Sequence, residues 1–168
     1  AIANCTDLIH TAAAVRISAK DPQRQIVNPS VIGTRNVVAA IDAAGTVKRF
    51  VHTSSTAAIR PMVWKDGETL TTETWADDAT LEGNPYGLAK VMAERIVREW
   101  HSEGGGGKPR MVTIHPSVVF GPPLSEIHLR GSLSFLNALV KRKVPLLIPI
   151  QINIVDVRDV AEAHVRAL

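Results

Sequence analysis

Short apolar runs alternate along this chain with longer stretches in which apolar residues recur at helical spacing. Thr6–Ala13, "TDLIHTAA", is an apolar run ending in small residues and predicts a buried strand. Asn28–Gly45 then shows Val31, Val38 and Ile41 at helical spacing, with Asn28 as N-cap, Pro29 at the first helical position and Gly45 as the stop. Lys48–Ser55, "KRFVHTSS", is strand-like again. Asn84–Glu103 repeats the Asn-Pro start and runs into the glycines 104–107. Arg110–Phe120, "RMVTIHPSVVF", predicts one further buried strand, closed by Gly121-Pro122-Pro123. Gly131–Lys143 is helical, Ile152–Asp156 predicts a fourth strand, and Asp159 is expected to cap a last helix reaching Leu168. Between Arg60 and Gly83 the chain is polar and rich in Thr, Asp and Glu, which predicts an excursion over the surface.

Strands alternating with helices imply an α/β domain, a doubly wound parallel sheet with crossover helices. Such sheets bind ligands at the carboxyl ends of their strands, which directs attention to Thr11, Ser54, Ser55 and Ser117. The tetraglycine does not read as a phosphate loop. That device needs a strand before the glycines and a helix after them, and here the order is reversed. A flexible connector is the expectation.

With 168 residues the chain has the size of one domain, and 45% hydrophobic residues suffice for an ordinary core. Aromatics make up only 4%, so aliphatic side chains must do most of the packing. A net charge of +3 with scattered basic residues argues against a nucleic-acid partner. The one basic run, Lys141-Arg142-Lys143, falls where a helix would end and suits the macrodipole there. A single cysteine, Cys5, allows no intrachain disulfide; it reads as an inert thiol in a reducing, cytoplasmic setting. The six histidines never fall at i, i+3 or i, i+4 spacing, so no metal site is expected. No apolar run reaches membrane-spanning length, and no membrane partner is expected.

The chain's one tyrosine, Tyr86, stands directly behind the Asn84-Pro85 helix start, with Lys90 four residues later. That spacing sets phenol and ammonium on one helix face. A free phenol titrates near pH 10, and a nearby positive charge would lower that value. Such a group can give a proton to a carbonyl oxygen or take one from an alcohol. By spacing alone, a partly buried tyrosine beside a solvated lysine is the commoner arrangement. The hydroxyls of Thr53, Ser54 and Ser55 at a strand end change the picture, because serine can hold a carbonyl against the phenol. Their ordinary role would be to turn the chain.

Taken in order, strand-end "TSS", "YGLAK", "HPSVVFGPP" and "IVDVRDVAEAH" resemble the extended short-chain dehydrogenase/reductases, and "DLIHTAA" fits the pattern after that family's fourth strand. "ETW" at 73–75 resembles the branch of dihydroflavonol reductases, cinnamoyl-CoA reductases and 3β-hydroxysteroid dehydrogenases. The resemblance implies a Rossmann-like fold, with Ser55, Tyr86 and Lys90 as the catalytic set. It implies NAD or NADP as cofactor, contacted by Thr11, Ala12, Ala13, Thr53, Ser54, Tyr86, Lys90 and the run Pro116, Ser117, Val118 and Val119. The partner would be a small carbonyl or alcohol substrate, and a homodimer is compatible with the family. The family's opening glycine fingerprint does not occur here, so the chain is expected to be an incomplete cofactor-binding domain. On that reading the substrate-binding region starts within residues 122–150. Many members carry an asparagine three residues before the glycine of "GT"; here that slot is Ser30, and no asparagine relay is expected there. The segment 144–156 also lacks the glycine turn expected before its strand.

Two other functions use this pattern. An NDP-sugar epimerase or dehydratase would employ the same three residues, though such enzymes more often follow the serines with a "VYG"-like run, where this chain has Thr56-Ala57-Ala58-Ile59. A non-catalytic nucleotide-binding regulator would be expected to have lost them.

Overall fold

Three of the apolar runs pair side by side as parallel strands. In this computed structural model, which describes residues 2–63, 67–126, 132–141, 143 and 152–168, they are β1 (Asp7–His10), β2 (Arg49–Thr53) and β3 (Arg110–Ile114). Their order is β1-β2-β3, in a register that aligns Leu8 with Phe50 and Phe50 with Met111. Parallel neighbours require crossovers, and helices supply them. The helix α1 (Asn28–Ala44) joins β1 to β2; α2 (Thr56–Ile59) and α3 (Pro85–Glu103) lie between β2 and β3. A second parallel pair, β4 (Val118–Phe120) with β5 (Ile154–Asp156), is accompanied by α4 (Ser132–Val140) and α5 (Val157–Ala167). The α/β architecture expected from the alternation is therefore present.

Helices α1 and α3 pack together against the sheet. Val38 and Ile41 of α1, Phe50 of β2 and Val97 of α3 form one buried cluster with Val47. Phe50 is 1% exposed and meets Trp100 edge-on, with ring centroids 6.0 Å apart. Burying such a side chain stabilises by roughly 1.5–3 kcal/mol. Gly45 ends α1 at φ 64°, a left-handed conformation that costs glycine little. The glycines after α3 form a short 3₁₀ turn, Gly105–Gly107, leading into β3, as a connector should.

Several local expectations are corrected. Arg110–Phe120 is not one strand: it divides into β3 and β4, which belong to different sheets. Pro116 lacks an N–H and restricts His115 before it, so the ladder breaks there. The freed groups are taken up nearby: Pro116 O accepts from Thr56 N at 3.0 Å, and Val118 N donates to Asn153 O at 3.2 Å. Asn28 does not cap α1, because a π-helical turn, Gln23–Val27, runs straight into it. Pro29 has no N–H to give to the carbonyl four residues back, and a wider turn accommodates that gap. The Asn28 side chain instead accepts from Gln23 Nε2 at 2.6 Å. The cap of α5 is Asp156, which accepts from Arg158 N at 2.8 Å; Asp159 sits in the first turn.

The polar stretch 60–83 is also more than a surface excursion. Ala76 and Ala79 are buried against Ala58 and Val91, and Ala76 N donates to Ala58 O at 2.9 Å. Of the helix expected over 131–143, Ser132–Val140 is observed. Gly131, Arg142 and residues 144–151, which include most of the segment expected to lack a glycine turn, lie outside the described residues, as do 64–66 and 127–130.

Candidate active site

The first turn of α3 is fixed by its own sequence. Asn84 Oδ1 accepts from Gly87 N at 2.9 Å, and Pro85 occupies the first helical position. A Cβ on Gly87 would lie 2.3 Å from Asn84 Nδ2, so the cap closes this tightly only because residue 87 is glycine. Tyr86 thus stands in the first turn, half-buried, with Lys90 one turn on and only 6% exposed.

Facing it is the carboxyl end of β2, where three consecutive hydroxyl residues have three different attachments. Thr53 O accepts from Lys90 Nζ at 3.1 Å, and Thr53 Oγ1 lies 2.7 Å from His164 Nε2 on α5. His164 Nδ1 is 2.6 Å from Val160 O. A carbonyl only accepts, so Nδ1 carries the proton, and in the neutral ring Nε2 accepts from Thr53. Ser54 is buried, with Oγ donating to Glu94 Oε2 at 2.5 Å and N donating to Ile114 O at 2.8 Å. Ser55 caps α2, its Oγ accepting from Ala57 N at 3.1 Å. Its hydroxyl also acts on the Tyr86 phenol, in the direction that lowers the phenol's pKa.

Beneath this strand end lies a buried polar layer. Glu94, four residues after Lys90, is 0% exposed, yet both its oxygens are hydrogen-bonded. Oε1 accepts from Arg98 Nε and Nη2 at 2.9 and 2.6 Å; His115 Nε2 reaches Oε1 and Oε2 at 2.9 and 2.8 Å. Burial would raise this carboxyl, but donation from His115, Ser54 and Arg98 outweighs it and holds the pKa at about 2. Next to it His52, 2% exposed, has no hydrogen-bond partner on either ring nitrogen among the described residues. Burial, aided by His10 and Lys90, depresses its pKa to about 3, so the ring is neutral. Lys90 is lowered by burial, with Glu94 pulling the other way.

The phenol reverses the expectation drawn from the Tyr-Lys spacing. Its pKa is raised, because burial outweighs the Ser55 hydrogen bond that would lower it. The Lys90 ammonium is engaged by the Thr53 carbonyl, and the influences on the phenol are burial and Ser55. At neutral pH Tyr86 is a protonated group with a hydroxyl neighbour.

The other expected cofactor contacts have varied surroundings. Thr11 and Ala12 follow β1 and are exposed, and Ala13 is half-buried. Pro116 accepts from Thr56 through its carbonyl, and Ser117 Oγ donates to Asn153 O, which joins the β3–β4 connection to the chain before β5. Val118 and Val119 are half-buried in β4. Ser30, the relay slot, is buried with its hydroxyl donating to Ile26 O at 2.9 Å. Among the described residues no helix is long and apolar enough to cross a membrane.

Sequence reasoning passed over Glu94, His115 and His164. A signal for Glu94 existed: it is four residues from Lys90, on a helix face whose neighbours Val91, Ala93 and Val97 are apolar. Nothing local marks His115 or His164, whose side-chain partners Glu94 and Thr53 lie 21 and 111 residues away.

Known proteins of similar sequence and structure agree with this architecture. The profile of the NAD dependent epimerase/dehydratase family matches residues 1–168. Cinnamoyl-CoA reductase 1 of Petunia hybrida is 36% identical over 168 residues, covering 98% of this chain and 48% of that protein. Dihydroflavonol 4-reductase of Hordeum vulgare is 29% identical, covering 97% of this chain and 46% of that protein. The crystal structure of yeast methylglyoxal/isovaleraldehyde reductase Gre2 complexed with NADPH superposes with a TM-score of 0.80 at 28% identity, over 97% of this chain and 52% of that one. The chain spans about half the length of the curated relatives it matches. It belongs to the NAD dependent epimerase/dehydratase family, with the fold of the Rossmann-type reductases.

Proposed function

We propose, from that membership, that the chain is part of an NAD(P)-dependent oxidoreductase that reduces a carbonyl of a small organic substrate, with Ser55, Tyr86 and Lys90 as its catalytic set. The observation that carries the reading is the placement of a half-buried Tyr86 phenol and the Lys90 ammonium against the carboxyl end of β2, where Lys90 Nζ donates to Thr53 O at 3.1 Å and Ser55 follows. The reductase character of the matched relatives supports the same direction.

The donor set at the neighbouring ends of β1 and β2 suits the nicotinamide half of a dinucleotide. Lys90 supplies a cation, Thr11 a hydroxyl, and Ala12 and Ala13 are small enough to let a ligand approach the backbone. The cofactor, when bound, supplies a hydride to the carbonyl carbon. The chain's own residues handle the proton. Ser55 donates to the carbonyl oxygen and holds it against Tyr86, and the phenol O–H bond breaks as its proton passes to that oxygen. Burial keeps the phenol protonated at neutral pH, which suits a proton donor. Lys90 holds the Thr53 carbonyl and keeps a positive charge on the helix that carries the resulting phenolate.

In the enzyme carrying this chain, Tyr86→Phe deletes only the hydroxyl. Turnover of carbonyl substrates with NADH or NADPH is expected to fall by about 10²–10⁴-fold, with cofactor affinity nearly unchanged. Retention of more than about a tenth of the activity would make Tyr86 a structural residue.

A further inference from the structure

Glu94 is not explained by packing. A buried carboxylate is expensive to desolvate, and a buried ion network is often no more stabilising than apolar residues of the same volume. Yet this one is wholly enclosed, and its partners come from separate segments around the site. Ser54 follows β2, His115 lies between β3 and β4, and Arg98 follows one turn along α3. Arg98 extends the network: its Nη1 donates to Thr72 O at 3.1 Å, and its guanidinium lies 4.9 Å from the Trp75 ring centroid.

We propose that Glu94 is a positioning residue. From the same helix face as Lys90, its carboxylate fixes the ends of β2 and β3, and through Arg98 the segment 72–75, relative to Tyr86. The inference rests on and deepens the oxidoreductase reading. Ser54 is the peptide neighbour of Ser55, so clamping its hydroxyl and its N–H leaves Ser55 little freedom to move relative to Tyr86. Misplacement of a catalytic group by an ångström can cost about 10²-fold in rate. A charged acceptor suits this role because it takes several donors at once with strong, short bonds.

Two measurements test it. Glu94→Gln keeps the shape and removes the charge. On this chain, hydrogen exchange should quicken by about tenfold or more at the amides of Ser54–Ala58 and Ser117–Val119, while β1 and the second half of α1 keep their rates. Uniform acceleration everywhere, or none, overturns the inference, since either outcome makes the carboxylate merely part of the fold. In the enzyme carrying the chain, kcat should fall about 10–100-fold with cofactor affinity nearly unchanged. Adding Ser54→Ala should then lose little more, because the two residues act as one unit. Losses that multiply, or an unchanged kcat, also overturn it. If Glu94→Gln does not fold, Ser54→Ala alone must give the local exchange and the kcat loss, and an unchanged Ser54→Ala ends the proposal. The exchange readout does not depend on catalysis, so an enzyme that turns over no carbonyl substrate with NADH or NADPH would end the oxidoreductase reading without deciding this one.

Discussion

The ends of β1 and β2 lie side by side in one sheet and are built in opposite ways. At the end of β2, Thr53 is tied to Lys90 and His164, and Ser54, which follows it, to Glu94, so this end is held from α3 and α5 together. After β1 the chain passes from buried His10 to exposed Thr11 and Ala12. The proposed proton-transfer end is organised in advance, and the proposed cofactor end offers small residues and accessible backbone. Proton transfer needs fixed heavy-atom distances, and a dinucleotide needs room for its ring and ribose.

The sharpest way to break this contrast is at Lys90, which the proposal places at both functions. Lys90→Ala in the enzyme should lower turnover by about 10²–10⁴-fold and weaken cofactor binding as well. Kinetics and cofactor titration on the same variant decide it. A loss of affinity with turnover preserved would remove Lys90 from the proton chemistry.

The next effect is on stability. His52 is neutral when folded, with a pKa of about 3 against its ordinary 6.5. Between those values the unfolded chain binds the proton more readily, so stability is full above pH 6.5 and is lost as the pH falls. The groups facing it are His10 on β1, Lys90 and Glu94 on α3, and His115 after β3. His10 is also lowered and contributes with the same sign, while Glu94 gives way only from about 4.5 toward 2. Urea midpoints from pH 7 to 5 should therefore drop for the native chain and drop less for His52→Phe. The difference is on the order of a few kcal/mol at its limit. Equal slopes would show that His52 finds a partner on protonation.

The smallest effect belongs to the open end. Thr11→Val should leave unfolding within about 0.5 kcal/mol of the parent, as exposed substitutions usually do. In the enzyme it should weaken cofactor binding. A marked loss of stability would show that the β1 end is as tightly built as its neighbour.

Much of this was legible locally. The Asn84-Pro85 start, the Gly45 stop and the apolar runs of β1 and β2 are short-range signals, and each is found where the sequence puts it. The errors share one cause. Asn28 and Asp159 are plausible caps that lost to neighbours whose backbone was already committed to a helix or better placed to cap it. Arg110–Phe120 has the composition of one strand, and Pro116 together with the pairing of Val118–Phe120 with β5 made it two.

Local residue patterns specify the alternation that makes an α/β sheet, the helix turn that sets Tyr86 one turn before Lys90, and the strand end that presents three hydroxyls. These follow from spacing and from backbone chemistry within a few residues. Packing sets which hydroxyl meets which partner, and burial raises the phenol's pKa where the Tyr-Lys spacing pointed the other way. Packing also draws Glu94, His115 and His164 to the strand ends. Desolvation and hydrogen bonding between residues as many as 111 positions apart depend on how the elements pack, and no local pattern encodes them.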